Sequence, residues 1–104
     1  MKQRFLVIYE HGKRNYGGFA PDIPGCGSLA KTLDVLRQRM KEVLEAQLAS
    51  MAEDGEELPK PVTTSFDFGE IADESVDHYV VERLEIEVPD YERKLEVFTA
   101  QAQI

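Results

Sequence analysis

Apolar residues run unbroken from Phe5 to Tyr9, recur every third or fourth position from Leu33 to Met51, and alternate from Val80 to Val88. These three patterns predict a covered strand, an amphipathic helix and a half-exposed strand. The first run, Phe5-Leu6-Val7-Ile8-Tyr9, is rich in residues that suit a pleated surface and spans 4–10. With both faces apolar, it belongs in the middle of a sheet. His11-Gly12-Lys13-Arg14-Asn15 is polar and reads as a hairpin loop, so 16–20 is the returning strand. The Gly17-Gly18 pair marks a bulge or a close approach of backbone to a neighbour. A third short strand covers 26–30.

Between the second and third strands lies Ala20-Pro21-Asp22-Ile23-Pro24-Gly25-Cys26. Each proline fixes its own φ and holds the residue before it extended. Gly25 supplies a position free to take positive φ. The result is a stiff corner from which Ile23 points inward, and Asp22 is placed to accept local backbone N–H groups.

Thr32 is a good N-cap, and Asp34 puts a negative charge in the first turn, where the helix dipole favours it. The helix spans 33–54. Leu33, Leu36, Met40, Val43, Leu44, Leu48 and Met51 form its apolar stripe, broken by Gln47, with Arg37, Lys41, Glu42, Glu45, Ser50 and Glu53 opposite. Lys41 sits one turn from both Arg37 and Glu45, which offers i, i+4 pairing with Glu45. The methionines read as core filling. Gly55 is the C′ residue, and Pro59 and Pro61 stop any continuation.

The segment before the last strand is acidic and aperiodic, with Phe66, Phe68 and Ile71 as its anchors to the body. In the last strand, 79–88, Val80, Leu84, Ile86 and Val88 face one way and Arg83, Glu85 and Glu87 the other. One face is packed and the other is wet or covered by a partner. Pro89 ends the strand, and 89–104 carries both helical and alternating spacing. The whole reads as an α+β fold, a small antiparallel sheet in β-β-β-α-β order with one long helix on a face, with 1–88 as the domain and 89–104 as a tail.

Charge sharpens this picture. Of 104 residues with net charge −8, the first 41 hold eight Lys/Arg against three Asp/Glu, and the rest hold four against seventeen. The second part should repel nucleic acid and attract a basic partner. No apolar run nears the ~18 residues of a membrane span, and no signal-peptide pattern opens the chain. One cysteine excludes an internal disulfide and fits a reducing compartment, so a cytoplasmic location is expected.

Candidate chemistry is sparse. His11 and His78 are far apart, with no ligand at a usual metal spacing, and each reads as a solvated loop histidine. Cys26 reads as a packing thiol, and Ser28 lacks a nucleophile elbow. Glu53, Asp54, Glu56 and Glu57 are a solvated charge run at a helix end, not a cation site. No cofactor, metal or catalytic group is therefore assigned, and a binding module is the better reading than an enzyme.

The corner Pro21-Asp22-Ile23-Pro24-Gly25-Cys26, the capping Thr32 and the exit Asp54-Gly55-Glu56-Glu57-Leu58-Pro59-Lys60-Pro61, in that order, resemble the HicB family of antitoxins over roughly 4–88. The resemblance implies a degraded ribonuclease H-like or double-stranded-RNA-binding-like domain. It implies a partner, a small basic HicA-type mRNA interferase whose catalytic histidine is covered, and assembly as a dimer or larger homo-oligomer. Many relatives add a C-terminal helix-turn-helix or ribbon-helix-helix that binds DNA. The sixteen residues after Val88 leave no room for a helix-turn-helix, which argues against DNA binding here.

From position alone, Asp73, Glu74, Asp77, Glu85 and Glu87 are the candidate partner-binding residues. Pro21, Asp22, Pro24, Gly25, Cys26, Thr32 and Gly55 are the structural motif. Three alternatives stand beside the antitoxin reading. One is a stand-alone HicB-like domain without a toxin. Another is a nucleic-acid-binding regulator using Lys2, Arg4, Lys13, Arg14, Arg37, Arg39 and Lys41. The last is a metal-dependent nuclease, which would require Glu10, Asp22 and strand carboxylates to converge.

Overall fold

Strand β1 (Lys2–His11) lies at the centre of the described sheet, paired on one side with β2 (Tyr16–Phe19) and on the other with β4 (His78–Glu87). The computed structural model describes residues 1–67 and 74–89. β3 (Gly27–Ala30) completes the order β3-β2-β1-β4, all antiparallel, and helix α1 (Leu33–Glu53) packs on one face. The α+β fold and the β-β-β-α-β order are those read from the pattern. β1 is longer than expected, β4 has the expected length but begins and ends one residue earlier, and Cys26 falls just outside β3.

The consecutive apolar run of β1 has a direct outcome. Phe5, Val7 and Tyr9 face α1, Leu6 and Ile8 face away, and all five are buried. On the α1 side they meet Leu36, Met40, Leu44 and Leu48, a row of fully buried side chains spaced by four along the helix, with Ala52 continuing it. Leu33, Val43 and Met51 flank this row, partly buried. On the far face Phe19 pairs with Ile8 across the ladder, and Phe66 packs edge-on against Phe19 with ring centroids 5.6 Å apart. Phe66 thus anchors its segment as expected, while Phe68, Ile71 and the tail from residue 90 lie outside the described residues.

Gly18 is where the backbone must come close. A Cβ there would lie 3.1 Å from Met40 Cγ and Sδ and 3.3 Å from Tyr9 Cδ1. The β1–β2 register runs unbroken through it, so the glycine pair marks a close approach and not a bulge.

The corner is a turn closed by Ile23 N–H donating to Ala20 O at 3.1 Å, with Pro21 and Asp22 at its two central positions. Gly25 follows at φ +84°, Ile23 is buried, and Cys26 is half-buried against the core. Burial pushes the Cys26 thiol pKa up. Asp22 departs from expectation. Its carboxylate accepts Thr63 N–H at 2.9 Å and Thr63 Oγ1–H at 2.6 Å, so it fastens the exit segment to the corner instead of serving local N–H groups.

Both ends of α1 are capped as their sequences dictate. Thr32 Oγ1 accepts Val35 N–H at 3.3 Å. At the other end Gly55, at φ +74°, donates to Ala52 O, and Glu56 N–H donates to Met51 O. These two bonds are the Schellman arrangement. Pro24, Met51, Leu58 and Pro59 line a cavity of about 350 Å³ between corner, helix and exit.

Candidate partner-binding surface

Strand β4 is an edge of the sheet among the described residues. Its period-two pleat divides it into two chemically different faces. Val80, Glu82, Leu84 and Ile86 face α1, and Tyr79, Val81, Arg83, Glu85 and Glu87 face away. Val81, second in that outer row, is 42% exposed. Among the described residues no further strand pairs on the far side of β4.

Those of the expected acidic residues that the structure describes lie at its two ends. At one end Glu85 stands 4.0 Å from Arg4 Nε, and Glu87 accepts from the Met1 α-amino group at 2.8 Å. That bond and charge hold the Glu87 carboxyl below its usual range. At the other end Asp77 Oδ2 lies 3.3 Å from His11 Nδ1 and 3.1 Å from His78 Nδ1, with Glu74 close by in the same cavity wall. Hydrogen bonds from His78 and His11 hold the Asp77 carboxyl below its usual range. The length of β4, roughly 30 Å at ~3.3 Å per residue, separates the two groups. The strand therefore carries two acidic ends and does not gather these residues into one patch. Asp73 lies outside the described residues.

His11 and His78 are not isolated loop side chains. They stand directly opposite each other on β1 and β4, with ring centroids 4.8 Å apart, and Tyr16 packs on His11 at 4.4 Å. Local spacing could not reveal this, because strand register alone brings them together.

A second cluster also escaped the sequence. Glu82 sits within the apolar row of β4, and there its carboxylate takes Arg37 Nε–H at 2.9 Å on both oxygens and the Tyr9 hydroxyl on Oε1. Burial drives the Tyr9 phenol well above its usual pKa, and Glu82 adds to that shift. The Glu82 hydrogen bond and charge likewise raise Arg37. Arg37 was expected on the solvent side of α1. Its length lets it reach back across the helix to the sheet. Glu45 also ties the two layers, accepting Glu87 N–H at 2.6 Å, where pairing with Lys41 had been expected.

The basic residues do not form one surface. Lys2 and Arg4 lie at the opposite end of β1 from the hairpin that bears Lys13 and Arg14. Arg37 is engaged by Glu82 and Asp34, and Arg39 donates to Leu29 O at 2.6 Å. The convergent metal-capable group found among the described residues is His11, Asp77 and His78; it includes neither Glu10 nor Asp22.

With this geometry in place, the comparisons with known proteins are decisive for family. A profile of the HicB-like antitoxins of bacterial toxin–antitoxin systems matches residues 5–99. The chain belongs to the HicB-like antitoxin family. A UPF0150 protein of Thermotoga maritima is 37% identical over 43 residues, 41% of this chain and 57% of its own length. The chain thus spans little more than half of that relative. Among solved structures, a toxin–antitoxin complex from Streptococcus pneumoniae superposes with a TM-score of 0.71 at 14% identity, covering 95% of this chain and 89% of the other. The Burkholderia pseudomallei antitoxin HicB gives 0.53 at 19% identity, over 98% and 88% of the two chains. A HicA3–HicB3 toxin–antitoxin complex gives 0.54 at 15% identity, over 85% and 100%. At such identities these likenesses speak for the fold of this HicB-like chain. None of its described helices is long and apolar enough to cross a membrane.

Proposed function

We propose that this HicB-like chain neutralises a small basic HicA-type mRNA interferase by covering it. The observation that carries the reading is the family match over residues 5–99. The charge distribution supports it, since seventeen of the twenty acidic residues follow Lys41. An acidic cover speeds encounter with a basic nuclease and competes with RNA for the same surface. The chain contributes a surface, not a reacting group. The contact lies on β4, with Glu85 and Glu87 at one end and Glu74 and Asp77 at the other, and Asp73, outside the described residues, is kept as a candidate from sequence alone. Val81, exposed on the outer face, supplies apolar contact between the two ends. A homo-oligomer of two or more copies and a cytoplasmic setting complete the reading. Co-expression with a HicA-type toxin encoded beside it tests the proposal. Growth is restored and a complex is recovered at low salt if the reading holds; persistent arrest with no complex rejects it.

A further inference from the structure

We propose that His11, Asp77 and His78 form a binding site for one divalent late transition-metal ion of the zinc class. The chain has only two histidines, and the β1–β4 register sets them directly opposite each other on the same face. Side chains so placed have their Cβ atoms about 5 Å apart, which suits two imidazoles sharing one ion. Asp77 precedes His78 and is fixed by its own backbone, whose N–H donates to His11 O at 2.7 Å. One ligand atom from each of the three residues fits within a 4.8 Å group.

The two carboxylate–imidazole distances suit coordination as well as hydrogen bonding, and the two imidazoles would close in around an ion from within the 4.8 Å group. Asp77 Oδ2 lies 3.3 Å and 3.1 Å from the two Nδ1 atoms. Zinc with ligands at about 2.0–2.1 Å in a tetrahedron holds its donor atoms about 3.3 Å apart. Two imidazole nitrogens and one carboxylate oxygen select zinc, nickel or copper over magnesium or calcium, which favour all-oxygen shells. Tyr16 backs the cluster, packing on His11 and meeting His78 edge-on at 6.2 Å. On its open side is a cavity of about 330 Å³ lined by His11, Gly12, Lys13, Glu74, Ser75 and Asp77. Water or Glu74 would complete the shell from there. An ion at this position would clasp the hairpin end of β1 to the start of β4.

The test is titration of the intact chain with Zn²⁺ alone, read by calorimetry and by thermal melting, with Mg²⁺ as control. Expected are one Zn²⁺ per chain, a raised melting temperature, and no response to Mg²⁺. Loss of an outer partner alone weakens metal sites about 10–100-fold, so His78→Ala should weaken Zn²⁺ by about 100-fold or more. Asp77→Asn removes an exposed carboxylate and keeps the fold, which far-UV circular dichroism verifies, and it should weaken binding by about tenfold or more. Co²⁺ in place of Zn²⁺ should give the intense visible bands of a tetrahedral site. The proposal is overturned if Zn²⁺ binds the native chain no more tightly than Asp77→Asn, or if one Zn²⁺ bridges two chains.

Discussion

Arg37 Nε on the helix lies 2.9 Å from both carboxylate oxygens of Glu82 on β4, and this contact joins the two layers of the fold. Glu82 occupies a position that the alternation of β4 assigns to the core. It is tolerated there because Arg37 and the Tyr9 hydroxyl both satisfy it. Removing one partner should expose the cost of that burial. Arg37→Ala should destabilise the fold by about 1 kcal/mol, toward the low end for such a pair because Arg37 is 40% exposed. Glu82→Leu together with Arg37→Leu should be milder than the sum of the single changes. Urea unfolding of the four proteins measures the coupling.

Tyr9 gives the pair a pH signature. Its folded-state pKa is raised, first by burial and then by Glu82. Its contribution is fully present below the unfolded tyrosine pKa of about 10. Above that pH the unfolded chain loses the proton first, so stability falls until Tyr9 itself ionises in the folded state. Alkaline titration followed by tyrosinate absorbance should show a late phase that is missing in Tyr9→Phe. The loss of stability on the alkaline side should shrink in the same variant.

Gly18 and Gly25 should fail for different reasons. Gly18→Ala drives a methyl group into Met40 and Tyr9, and overpacking of a buried contact costs about 1–3 kcal/mol. Gly25→Ala meets open space, yet φ of +84° strains any side chain by about 1–2 kcal/mol. Met40→Val should recover part of the Gly18→Ala loss and none of the Gly25→Ala loss, as thermal melts would reveal.

Asp22 and Thr63 hold the exit segment against the corner. Asp22→Ala should cost about 1–2 kcal/mol and free the 56–67 segment, since two hydrogen bonds to one carboxylate are lost. Amide hydrogen exchange checks this: Thr63 N–H should lose protection while β1 amides keep theirs. Equal loss in both places would mean that the clamp does not act locally.

Features set by neighbours in sequence were readable in advance. Thr32 and Gly55 cap α1 as their chemistry requires, and the five-residue apolar run put β1 at the centre of the sheet. Pro21 and Gly25 announced the corner. What escaped was set by register between distant segments. Nothing near His11 in the chain points to His78, and Asp22 shows no local sign of Thr63. Glu82 could be placed on the packed face by counting, but its partner Arg37 lay on the helix side expected to face solvent. Long polar side chains reach across such boundaries, and hydropathy patterns do not register their reach. The acidic candidates show the same limit, because charge gave their sign while the length of β4 divided them into two ends.

The central claim, that this chain acts by covering a toxin, is tested most directly with a purified HicA-type mRNA interferase cleaving RNA in vitro. Added chain should suppress cleavage in stoichiometric amounts. Suppression should weaken as salt rises, and reversing charge at Glu74 and Glu85 should weaken it further. Undiminished cleavage at a large excess of the chain, or cleavage of RNA by the chain alone, would contradict the account.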